Sequence, residues 1–184
     1  MPLTVSFQLS DNDLKFFTER MSAAQKKAGR EGEATVLKAA NEMFAAAKGK
    51  SIPDFVKERF VQLELLTRMI ADKSWNISGE DRTRIINAVA YVCDPTDLIP
   101  DNIPGIGLLD DAIMIELVCT DLQHDIDAYK DFCNYRDREI ARRGAAGKDV
   151  AQETFLTARR TQLHERMRRR RATLWAARLG RSPF

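Results

Sequence analysis

The chain reads as an all-α protein: a helical bundle with a tight Asp/Pro connection between two of its helices, followed by a long basic C-terminal helix. Three observations carry that reading. Apolar residues recur at three-four spacing in successive windows, the period of helices that bury one face. Glycine, proline or capping residues separate the windows. Between two of them, the stretch 85–111 packs in three prolines, two glycines and five aspartates, far more turn chemistry than a plain surface loop needs.

The elements follow in order. Leu3, Val5, Phe7 and Leu9 alternate with polar neighbours, so residues 1–10 are expected to form an extended arm that docks on the body or pairs with its copy. The helical body spans 11–143. Ser10 with Asp13 marks the start of a helix whose stripe is Leu14, Phe17, Met21, Ala24 and Ala28. A second stripe, Val36, Leu37, Ala40, Met43, Phe44 and Ala47, closes at Gly49. Pro53 opens a third, with Val56, Phe60, Leu63, Leu66, Met69 and Ile70 inward and Lys57, Glu58, Glu64 and Arg68 toward water. Ser78 with Asp81 caps a fourth, carrying Ile85, Ile86, Val89 and Val92, which Pro95 stops at Asp94.

Within the connection every aspartate has local work. Asp94 and Asp97 suit short-turn caps, Pro104-Gly105 suits a type II turn, and Gly107 frees the backbone before the next helix. Asp110 and Asp111 fall in that helix's first turn, where negative charge is stabilised. Leu108, Ala112, Ile115, Cys119, Leu122, Ile126, Tyr129 and Cys133 then form one seam of about four heptads. A single continuous helix to the region of Gly144 is predicted. Residues 144–148 read as a linker, and 149–184 as a basic helix with a thin stripe of Leu156, Leu163, Met167 and Leu174.

Composition bounds the function. With 44% hydrophobic and 30% charged residues, the chain is globular and neither fibrous nor disordered. It shows no secretory leader and no apolar run near the roughly 20 residues that span a bilayer, so the expected compartment is the cytoplasm, with peripheral membrane contact as a variant. Cys93, Cys119 and Cys133 lack metal or disulfide spacing and suit core packing. The net charge of +2 hides a division, because residues 148–184 hold ten Lys/Arg against three Asp/Glu. An acidic body and a basic tail suggest an electrostatic role for the tail.

At the connection the residues carry a wider pattern. Tyr91, Asp94-Pro95, Asp97-Leu98-Ile99-Pro100-Asp101, Ile103-Pro104, Gly107 and Asp110-Asp111 resemble the core motif of the YkvA-like domain, a bacterial helical family without an established function. The resemblance covers 85–122. It implies a helix-hairpin-helix fold and no catalytic residues. Many relatives have flanking helices apolar enough for membrane insertion; here Arg82, Arg84, Glu116, Asp121 and Asp125 interrupt them.

Three functions are in play. The first is a non-catalytic interaction module or scaffold that binds a protein partner or its own copy, with no cofactor. The second is a binder of nucleic acid or an anionic membrane surface through Arg159, Arg160, Arg166, Arg168, Arg169, Arg170, Arg171 and Arg178, with Trp175 stacking on bases or entering lipid. The third is a metal-dependent enzyme using Asp97, Asp101, Asp110 and Asp111 as oxygen ligands. Their spacing fits no EF-hand, and caps and turns explain them. Asp121-x-x-His124 is half of a di-iron arrangement without its second half. His124, beside Asp125 and Asp127, reads as a solvated or ion-paired side chain, His164 among arginines reads as surface, and no nucleophile-base pair or phosphate loop is evident.

Overall fold

A computed structural model describes residues 8, 10–13, 15, 16, 19, 32–47, 52–93, 108–143 and 151–179, with the side chains of 143, 151–154 and 174–179 left undescribed. Every regular element among the described residues is helical. After a short helical stretch beginning at residue 11 come α1 (Glu33–Ala47), α2 (Asp54–Ala71), α3 (Gly79–Val92), α4 (Leu109–Asp121), α5 (Gln123–Arg143) and α6 (Ala151–Leu179). The predicted all-α bundle is the observed architecture. The extended arm, the Asp/Pro connection and the linker lie outside the described residues, as does the stripe from Leu14 to Ala28.

Local chemistry sets several of the helix ends. Ser10 and Asp13 form the reciprocal cap: Ser10 N donates to Asp13 Oδ2 at 2.8 Å, and Asp13 N donates to Ser10 Oγ at 3.3 Å. Pro53 stands immediately before α2, where its missing N–H costs nothing. The cap expected from Ser78 is absent, since its side chain makes no capping bond. Asp81, its presumed partner, turns its oxygens elsewhere.

The core is built from the predicted stripes. Val56, Phe60, Leu63, Leu66, Met69 and Ile70 of α2 meet Ile85, Val89 and Val92 of α3 and Ala112, Ile115 and Cys119 of α4, all buried. α2 packs on both α3 and α4, α1 lies across α3 and α2, and α6 runs against α5. Trp75 and Ile77, in the link between α2 and α3, are 0% and 2% exposed. That link is therefore part of the core.

One expectation is corrected. The seam from Leu108 to Tyr129 is buried throughout, but it runs through two helices that break at Leu122. Asp125 N donates to Leu122 O at 2.9 Å, so the carbonyl of Asp121 is released from the helical ladder. Arg84 of α3 takes that carbonyl at 2.8 Å and the Asp121 carboxylate at 2.7 Å. A side chain from another helix thus satisfies the group that the break exposes. At the other end of α4, Leu108 has φ +67°, a left-handed conformation unusual for a branched residue.

Candidate functional site

The chemistry concentrates where α6 lies on the body. Leu156, Leu163 and Met167 bury the helix's apolar stripe, each 3% exposed or less. Arginines beside the stripe then meet carboxylates of α3 and α5. Arg171 Nη2 donates to Asp81 Oδ1 at 2.5 Å and Arg168 Nε to Asp81 Oδ2 at 2.7 Å. Arg171 Nη1 also reaches Asp125 Oδ1 at 3.4 Å, while Arg84 Nη1 donates to Asp125 Oδ2 at 3.0 Å. Arg166 binds Asp131, and Arg160 donates to the Ser74 carbonyl at 3.0 Å. Asp81 and Asp125, 5% and 1% exposed, are neutralised by this arrangement of guanidinium groups.

Burial and pairing act on these groups in opposite directions. At Asp81 burial pushes the carboxyl up, but the bonds from Arg171 and Arg168 outweigh it and hold the group below its ordinary value. At Asp125 burial prevails over Arg84 and Arg171, and the carboxyl is raised. The two acids share Arg171, and the deeper one has the poorer geometry to it.

A second cluster fixes the α2–α3 link beneath α6. Asp72 Oδ1 accepts from Ser74 N at 2.9 Å and Trp75 N at 3.2 Å, folding the link back on itself. Its Oδ2 accepts from Tyr129 Oη at 3.0 Å and Arg136 Nη1 at 2.6 Å. Burial again opposes ionisation, yet the bonds from Ser74, Arg136 and Tyr129 keep the Asp72 carboxyl low. Trp75 is thereby set edge-on to His164 of α6, with ring centroids 4.2 Å apart.

The sequence-predicted sites are distributed unevenly over this picture. Tyr91 is a core residue of α3, 2% exposed. Asp110 and Asp111 sit in the first turn of α4 as expected, but both are buried. Asp94, Pro95, Asp97, Pro100, Asp101, Pro104 and Gly107 lie outside the described residues. Among the described residues no group of three or more His, Cys, Asp or Glu is placed to hold a metal ion. Burial pushes the thiols of Cys93 and Cys119 up to about 12, so both are unreactive packing groups.

Of the arginine set, Arg166, Arg168 and Arg171 are bound to carboxylates, whereas Arg169 and Arg170 face water. Arg159 is half-buried, with its guanidinium 5.6 Å from the centre of the Tyr135 ring. Trp175 and Arg178 belong to α6, but their side chains are not described. His124 and His164 are both half-buried, a correction to the solvated reading. Spacing in the sequence gives no sign of Asp72, Asp131 and Arg136, and it shows Arg84 only as a charge interrupting an apolar helix and Asp81 only as a cap. The acidic body opposite a basic tail was the available signal for these pairings.

Comparison with known proteins agrees with the connection motif. Residues 81–117, from α3 into α4, match the family model described as Protein of unknown function (DUF1232). The matched residues overlap the stretch that resembles the YkvA-like domain. A curated relative, the Uncharacterized membrane protein YkvA of Bacillus subtilis (strain 168), is 27% identical over 94 residues, covering 48% of this chain and 89% of the relative. No solved structure matches the chain.

Proposed function

We propose that this chain is a non-catalytic helical interaction module that engages a protein partner or a second copy of itself through a helical face. The observation that carries the reading is a groove of about 460 Å³ between α1 and α2, with Phe44, Ile52, Phe60 and Val61 among its lining. Val61 is 65% exposed, and Phe55 on the same helix is 42% exposed. Covering apolar surface releases roughly 25 cal/mol per Å², and a helix from a partner suits a groove of this kind. Lys57, Glu64 and Arg68 at the groove supply charges that would orient the incoming helix.

Light scattering across a concentration series, on the full chain and on Val61→Asp, tests this. An oligomer that Val61→Asp dissolves supports the reading with the chain as its own partner. A monomer that loses cross-links to another protein on Val61→Asp supports a heterologous partner. A chain that neither self-associates nor loses cross-links overturns the reading.

A second reading, contact with nucleic acid or an anionic membrane surface, is favoured by one observation: Arg169 and Arg170 are exposed and make no ion pair among the described residues, while their neighbours are bound to carboxylates. The curated relative is called a membrane protein. Among the described residues no helix is long and apolar enough to cross a membrane, so we propose that any lipid contact of this chain is peripheral and that its compartment is the cytoplasm. Binding to anionic vesicles or to duplex DNA that falls steeply with salt would support this reading.

A further inference from the structure

His164 stands where a positive charge would have no acceptor. Its ring meets Trp75 edge-on, at 89° and 4.2 Å between centroids. Trp75 is itself wedged against Tyr129 and Phe132 of α5, with centroids 5.6 and 5.0 Å away. The Nε2 atom of His164 is shut off from water and makes no hydrogen bond. A neutral imidazole tolerates this, because one of its nitrogens carries no proton. The protonated ring has two N–H donors, and the one on Nε2 would be buried without a partner.

The surrounding charges add to that cost. One helical turn to either side on α6 stand Arg160 and Arg168, both cationic. On α3 the facing carboxylate is Asp81, and both of its oxygens are already taken by Arg168 and Arg171. From α5 comes Tyr129, whose hydroxyl is committed to Asp72. Burial, then Arg168 and Arg160, pull the imidazole down from 6.5 to about 4, against the partial pull of Asp81 in the other direction.

We infer that α6 is a proton-operated clasp, in which protonation of His164 lifts the helix from Trp75 and from the body carboxylates and frees its arginines. A base held below its ordinary pKa binds fewer protons when docked than when released. Docking is therefore complete above pH 6.5 and weakens as the pH falls toward about 4. Asp81 acts lower, because its carboxyl lies below 3.8 while paired. The two events occupy different windows. Released arginines that the body now neutralises, Arg166, Arg168 and Arg171, would join Arg169 and Arg170 on one open cationic helix.

The test uses the full chain carrying Trp175→Phe, which leaves Trp75 as its remaining tryptophan. Acrylamide quenching of Trp75 fluorescence and far-ultraviolet circular dichroism are followed together from pH 7.5 downward. The expected result is a several-fold rise in quenching between pH 6.5 and about 4 with the helical signal retained. His164→Phe, which keeps a ring against Trp75, and His164→Gln, which is neutral at every pH, should both keep Trp75 protected through that window. His124→Gln should behave like the parent. The proposal is overturned if the His164 variants open at the parent's midpoint, or if Trp75 becomes accessible only as the helical signal is lost.

Discussion

Arg171 and Asp81 lie 90 positions apart in the chain and meet at 2.5 Å, with the carboxylate almost wholly buried. That contact joins the C-terminal helix to α3, the helix that leads into the Asp/Pro connection. A run of arginines that looks in the sequence like an outward-facing cationic surface is, at Arg166, Arg168 and Arg171, the counter-charge of the protein's own core edge. Removing one member leaves the other buried with a single remaining partner, Arg168 for Asp81 and the more distant Asp125 for Arg171, which costs more than the pair itself contributes.

Asp81→Ala takes from Arg171 its shortest carboxylate contact, leaving the longer one to Asp125, and should lower the unfolding free energy by roughly 2 to 4 kcal/mol. Replacing both members with apolar residues, as in Asp81→Leu with Arg171→Leu, should cost less than Asp81→Ala alone. Urea denaturation of the three proteins at pH 7 measures both differences. A loss for the double variant larger than that of Asp81→Ala, as additive losses would give, would mean that the pair is not coupled.

The arginines of α6 should divide into two groups. Arg171→Ala should destabilise by more than 1 kcal/mol, whereas Arg169→Ala and Arg170→Ala, with their side chains in water, should stay within about 0.5 kcal/mol of the parent. A thermal denaturation series across these positions separates the face that docks from the face left free. A flat series would show that α6 is held by Leu156, Leu163 and Met167 alone.

Trp75 closes the space between the α2–α3 link, α5 and α6. Trp75→Ala should cost about 3 to 5 kcal/mol, the range for deleting a fully buried aromatic side chain. Tyr129→Phe removes one hydrogen bond to Asp72 and keeps the ring, so about 1 kcal/mol is expected. Chemical denaturation gives both values, and a Tyr129→Phe loss as large as that of Trp75→Ala would point to the hydroxyl as the main tie.

Acid should act on the paired carboxylates in a set direction. Asp72 and Asp81 are held below 3.8, so the stability they contribute is present above that pH and is lost as pH falls through their lower folded values. Asp125, raised by its burial, works the other way, since its protonation relieves a desolvation cost. Below pH 3.8 these two carboxylates should therefore add a further decline in unfolding free energy to the one that His164 produces between pH 6.5 and about 4, and Asp72→Asn should make the lower decline shallower. An unchanged slope in Asp72→Asn would remove Asp72 from the acid response.

Some of the mismatch between sequence and structure has a simple origin. Helix 108–144 reads as continuous because its seam is continuous, and Leu122 stays buried at 1% exposure. The break lies in a backbone carbonyl that Arg84 captures from another helix, and no spacing within 108–144 records a donor at position 84. Ser78 and Asp81 match a capping pattern, but a carboxylate offered two guanidinium groups is better satisfied by them than by a weak local bond. His164 reads as surface because arginines surround it in the sequence, whereas the packing sets it against a tryptophan 89 positions earlier.

What the sequence determined by itself was everything that depends on near neighbours: the helical class, the stripes that form the core, the reciprocal cap at Ser10 and Asp13, and the aspartates at the start of α4. These follow from periodicity and from side chains bonding to backbone a turn away, which the order of residues records directly. The tertiary structure decided which charges meet. It brought Asp81, Asp125 and Asp131 under α6, set Asp72 to tie the α2–α3 link to Tyr129 and Arg136, and divided the arginines into bound and free. Charge pairing is set by distance in space, and in this fold the partners are 35 to 90 positions apart, beyond the reach of any local pattern.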